Sequence, residues 1–226
     1  MRRRQFLDVL RTLTPEKNIP LSRVRYEYGF GFGELYHPYT EALLCSSEKA
    51  AAELLEDFFL RMQAHLDTLS TWQALPVQAW RFGHSRLMER LENRVPSTHF
   101  GVEVDDLAAK SLDRAQHLFS LRDSIASKGY DRSVSQKMDG VRLPHGAVLL
   151  LGGQHRAAVL ASLGWDKIPL QILGRKNTPR RIRLSSLPLV RSGFLPLEEA
   201  ETVVEAIERG WSRERARSMS FPFAQG

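Results

Sequence analysis

An α/β fold is predicted from three stretches of this chain. Residues 147–173, AVLLLGGQHRAAVLASLGWDKIPLQIL, read as a strand, a glycine turn, a helix and a second strand. Residues 113–128 carry Leu118, Leu121 and Ile125 at helical spacing. After Ser46-Ser47, the apolar residues Ala51, Leu54, Leu55, Phe58, Phe59 and Met62 follow the same period. Together they predict a sheet-bearing unit with a mostly helical N-terminal region packed on it or beside it.

The chain has 226 residues, room for one large domain or two small ones. No apolar run approaches the ~20 residues of a membrane span. The basic start, MRRRQFLD, continues too briefly and with too much charge for a signal peptide. A single cysteine, Cys45, excludes an internal disulfide, and a cytoplasmic location is the expectation. The net charge is +6, with arginines gathered at 2–4, 175–183 and 213–217. Such clusters suit nucleic acid, anionic headgroups or phosphorylated substrates, and a solvated basic surface explains them as well. The sequence has no zinc-finger spacing and no aromatic RNA-binding signature.

Residues 1–20 hold a short helical pattern, Phe6, Val9, Leu10 and Leu13, interrupted at Pro15 and Pro20. Tyr26, Tyr28, Phe30 and Phe32 alternate at period two, which predicts an extended segment with one aromatic face. Tyr36-His37-Pro38-Tyr39 follows, and the stretch is either part of a sugar or substrate platform or an aromatic satellite core under a loop. Ser47 or Ser46 caps the next helix, which is expected to run to about Leu69. Around Pro76, Trp72, Leu75, Val77 and Trp80 suggest local packing, and 85–92 reads as a short helix. The stretch 96–101 is the best domain boundary. Glu103, Asp105 and Asp106 follow, suited to a magnesium ion, a general base or a solvated helix start.

On the 113–128 helix, His117, Ser120 and Ser124 lie one position before the apolar stripe, forming a parallel polar stripe about 100° round the helix. Gly129 ends it. Residues 134–137 read as a short strand and Asp139-Gly140 as a turn before the strand at 147. That strand, Ala147 to Leu151, is an unbroken apolar run, as in a strand buried on both faces. Gly152 and Gly153 then turn the chain sharply and let a ligand approach its backbone. The following helix places Gln154, His155 and Arg156 in its first turn, where unpaired N–H groups carry roughly half a positive charge. Arg156 offers a planar fork of donors and His155 a ring N–H. These features describe either an anion site, best suited to phosphate, or a tight turn with a solvated arginine. Gly164 suits a left-handed stop, and Ile168, Leu170 and Ile172 alternate as a second strand.

The run Leu151-Gly152-Gly153-Gln154-His155-Arg156, followed by Ala157-Ala158 and Ile168-Pro169, resembles the nucleotide loop of the ParB/sulfiredoxin superfamily. Residues 118–125, LFSLRDSI, resemble the helix beside the phosphates in that family. The resemblance covers about 112–173. It implies a small mixed sheet with helices in a nucleotide-binding domain at 101–174, after a mostly helical region at 1–100 and before a basic linker and helix at 175–226. It implies that Gly152, Gly153, Gln154, His155 and Arg156 hold phosphates and that His117, Ser120 and Ser124 hold the rest of the nucleotide. Family members carry a Lys, a Ser and a Thr at these last three positions. The family's catalytic cysteine falls at Gln154, so sulfiredoxin chemistry is not expected.

The function this permits is an ATP- or ADP-dependent phosphotransferase, kinase-like, acting on a small molecule or a glycan precursor. Glu103 or Asp113 would then activate the acceptor or hold Mg2+. The alternatives are a ParB-like DNA-binding protein controlled by nucleotide, CTP included, and a binding module without catalysis. Beyond Gly174, Pro179, Pro188 and Pro196 punctuate a linker, 197–207 forms an amphipathic helix stopped by Gly210, and 211–226 is expected to fray.

Overall fold

A computed structural model of the chain describes residues 16–69, 106–131, 138–173 and 181–224. Five strands form one mixed sheet in the order β1-β5-β3-β4-β2. These are β1 (Glu16–Pro20), β2 (Val24–Arg25), β3 (Asp139–Arg142), β4 (Val148–Gly152) and β5 (Lys167–Ile172). β1 and β5 are antiparallel, as are β3 and β4, whereas β3 runs parallel to β5 and β2 to β4. The helices are α1 (Pro38–Leu43), α2 (Glu48–Asp67), α3 (Leu107–Lys128), α4 (Gln154–Ser162), α5 (Pro188–Arg191), α6 (Leu197–Arg209) and α7 (Arg213–Ser218). The mixed α/β class expected from sequence is therefore the observed one. Among the described residues no helix is long and apolar enough to cross a membrane.

The apolar run of β4 is buried on both faces by two different layers. Val148 and Leu150 belong to the larger core cluster, with Ile168, Leu170 and Ile172 of β5 and residues of α2, α3 and α4. Leu149 faces the other way, into a cluster with Leu143, Leu184, Leu189, Leu195, Val204 and Ile207. The stretch expected to be a linker thus forms the second layer, and Pro188 starts α5, where its missing N–H costs nothing. The larger cluster also contains Trp211, Ala216 and Phe221, which corrects the expectation of a frayed end. The Tyr36 hydroxyl donates to the Pro222 carbonyl at 2.9 Å, and the two rings of Tyr36 and Phe221 stack 5.7 Å apart.

Helix signals read well. Ser47 caps α2 by accepting from the Ala50 N–H at 3.2 Å. Gly164 closes α4 at φ +81°, with the Trp165 N–H on the Leu160 carbonyl and the Gly164 N–H on that of Ala161. α3 begins at Leu107, six residues before the expected start, and ends at Gly129 as expected.

Three further expectations are corrected. Asp139-Gly140 is not a turn but the start of β3, with a register shift between the two residues. A Cβ on Gly140 would lie 2.8 Å from Val148 Cγ1 and 2.9 Å from the Leu149 oxygen, so this glycine allows close strand approach. The real turn is at 144–146, with Gly146 at φ +114°. The aromatic stretch is not one extended face. After β2 it coils into a single 3-10 turn, Glu27–Gly29, with Tyr28 at φ +60°. This drives Phe30, Phe32, Tyr36 and Tyr39 into the main core, so they form neither a satellite core nor an exposed platform. Residues 16–20 form an edge strand where the pattern ended at prolines. β4 is interior, but the middle position of the sheet belongs to β3. The helical pattern at 6–13, the packing at 72–80, the helix at 85–92, the boundary at 96–101, Glu103 and Asp105, the strand at 134–137 and the basic residues 175–180 lie outside the described residues.

Candidate anion site at the start of α4

Gly153 is the N-cap of α4 in the left-handed conformation, φ +87° and ψ +24°. A Cβ there would lie 2.5 Å from Met138 Cγ and 3.2 Å from Arg156 Nη2, so the position requires glycine and Arg156 folds back over it. Gly153 has no side chain to cap this end, and helix geometry points the first-turn N–H groups out of the turn. Gly152 pairs with Asp139 across the sheet, and a Cβ on Gly152 would lie 2.7 Å from Asp139 Oδ1. Asp139 is 4% exposed, so a buried carboxylate borders the glycine turn.

His155 is wedged between helices. Its ring lies 5.1 Å from that of His117 on α3 and 4.8 Å from that of Tyr39 on α1. Its Nε2 atom is buried without a hydrogen-bond partner among the described residues. Burial, together with the electrostatic influence of His117, Arg114 and Arg156, lowers its pKa to about 4. Tyr39 accepts a 2.8 Å hydrogen bond at its hydroxyl from Arg114 Nη1. Behind it His37 stacks on Phe32 at 4.4 Å and accepts the Tyr39 N–H at Nδ1, acting as the cap of α1. Burial and the nearby His155 push the His37 pKa down to about 3.

The structure thus brings His117, Gly152, Gly153, Gln154, His155 and Arg156 to one corner. Ser120 and Ser124 sit exposed further along α3, and Asp113 is exposed one turn before His117. Glu103 is not among the described residues. Sequence reasoning gave Arg114 and Asp139 no site role, and it placed His37 and Tyr39 only in a stretch read as either a substrate platform or a satellite core. Arg114 could have been found, because it lies three residues before His117 on the same helix. The contact of Tyr39 with His155 could not, because the two are 116 positions apart and only folding joins them. Among the described residues no group of three His, Cys, Asp or Glu side chains is placed to hold a metal ion. A cavity of about 140 Å³, lined by Met62, His65, Leu69, Ile207, Trp211 and Arg215 among others, contains none of the sequence-predicted site residues.

No protein-family model matches this chain, and no curated protein or solved structure is detectably similar to it.

Proposed function

We propose that the chain binds a nucleotide at the 152–156 turn and uses it, as ATP or ADP, to phosphorylate a small molecule or glycan precursor. The observation that carries this reading is the meeting of α3 with the turn, which sets His117 5.1 Å from His155. The motif resemblance assigned both residues to one ligand, although they are 38 positions apart. Backbone N–H groups, a left-handed glycine and Arg156 at one helix start suit phosphate oxygens. Phosphoryl transfer asks mainly for positioning and charge neutralisation, which such a corner supplies. Asp113 is the described carboxylate in the catalytic role, exposed and so able to meet an acceptor. Mg2+ would enter with the nucleotide, held largely by phosphate oxygens and water.

The ParB-like DNA-binding alternative is weakened by one observation. The C-terminal arginines already have partners: Arg213 pairs with buried Glu41 and lies over Phe223, Arg217 also lies over Phe223, and Arg215 covers Trp211. The test is calorimetry with ATP, ADP and CTP, with and without Mg2+, on the wild type and Arg156→Ala. Binding of one nucleotide that weakens at least about tenfold in the variant is the expected result. A wild type that binds none of them ends the reading.

A further inference from the structure

We propose that Arg114 is the fixed cation of this anion site, held by Tyr39 so that it and the 152–156 turn grip the same phosphate chain. The inference rests on the nucleotide reading and adds a residue to it. In the resemblance, the lysine of the α3 stripe is replaced by His117, which carries a full charge only when protonated. Arg114 sits one turn earlier on the same helix, with a planar guanidinium in place of an imidazole.

Its placement is built from two sides. Nη1 donates to the buried Tyr39 hydroxyl at 2.8 Å, and the guanidinium lies 4.9 Å over the Phe59 ring of α2. Tyr39 is also the residue whose ring packs 4.8 Å from His155. One aromatic ring therefore couples the guanidinium to the turn. A guanidinium carries five donors in a rigid fork, enough to hold a tyrosine and a phosphate oxygen together. Anchoring by ring and hydroxyl removes side-chain freedom before the ligand arrives, so little is lost on binding.

The charges facing this corner come from several elements. α4 contributes His155 and Arg156, α3 contributes Arg114, His117 and Asp113, α1 contributes His37 and Tyr39, and β3 contributes the buried Asp139 carboxylate beside Gly152. The 3-10 turn brings Tyr26 and Glu27, whose carboxylate opposes Arg114 in its effect on both tyrosine hydroxyls. Arg114 of α3 and Arg156 of α4 both act electrostatically on His155, an arrangement suited to adjacent phosphates.

The test is calorimetry on the full chain with ADP and with inorganic pyrophosphate as probes. Arg114→Gln is expected to weaken both by about tenfold or more, with Arg114→Lys recovering much of the loss. A role confined to holding α1 against α3 would show no such rescue by charge. If the glutamine variant does not fold, Tyr39→Phe decides, because it keeps the charge and releases its anchor. A loss of about threefold or more is expected there, and unchanged affinity overturns the proposal. If Arg114→Gln binds as the wild type while Arg156→Ala does not, Arg114 has no such role and the nucleotide reading stands. A wild type that binds neither probe removes both.

Discussion

On one face of the sheet, Leu149 packs among Leu143, Leu184, Leu189, Leu195, Val204 and Ile207, with partly buried Phe194 the one aromatic ring of that cluster among the described residues. On the other, Val148 and Leu150 share a core with Phe30, Phe32, Tyr36, Tyr39, Phe58 and Trp211, and His37 is buried among these rings. The aliphatic face is filled by the C-terminal layer. The aromatic face holds titratable groups against the turn at 152–156. Flat rings stack on imidazoles and guanidinium groups, whereas branched aliphatic chains offer no such partner. The candidate site lies where the core is aromatic, and there the rings of Phe32 and Tyr39 pack against His37 and His155.

The sharpest way to separate the faces is to damage one and read the other. Leu149→Ala removes a side chain 2% exposed at the centre of the aliphatic layer and should cost about 2–5 kcal/mol of stability. Urea unfolding measures this, and nucleotide affinity of the folded fraction should remain unchanged. Loss of affinity with stability intact would show that the two faces are not independent. Gly153→Ala acts on the other side. It combines a left-handed backbone position with the contact to Met138, so it should cost about 1–3 kcal/mol and weaken nucleotide binding at least about tenfold. An alanine variant with full affinity would remove the turn from the site.

Acid should distinguish the faces more gently. Burial lowers His37 to about 3 and His155 to about 4, against about 6.5 for histidine in the unfolded chain. Between these values the unfolded chain takes up protons that the folded chain refuses. Stability is therefore retained above about pH 6.5 and falls as pH drops towards 4. His155→Asn should flatten this fall, and a bound polyphosphate should reduce it by favouring the protonated ring. Urea midpoints at pH 7, 6 and 5 measure both effects, and a wild-type midpoint independent of pH would show that these rings are not buried neutral.

The same contrast explains which parts of the molecule were legible beforehand. α2, α4 and β5 follow from local period and caps, because Ser47, Gly153 and Gly164 satisfy backbone groups within a few residues. The turn at 152–156 and His117 were visible for that reason. Gly140 looked like a turn residue because its real constraint, the approach of Val148 and Leu149, comes from another strand. The residues from Tyr26 to Phe32 looked extended because their period could not reveal that the Trp211 indole would donate to the Tyr28 carbonyl at 2.8 Å.

The sequence by itself determined α2, α4, α6 and most of α3, the buried character of β4 and the glycine turn that opens α4, since each depends on interactions spanning a few residues. Tertiary structure alone decided the strand order, the covering of Leu149 by 184–207 and the meeting of Tyr39, Arg114, His117 and His155. Those contacts join positions far apart in the chain, and their free energy comes from burying surfaces that no local pattern pairs.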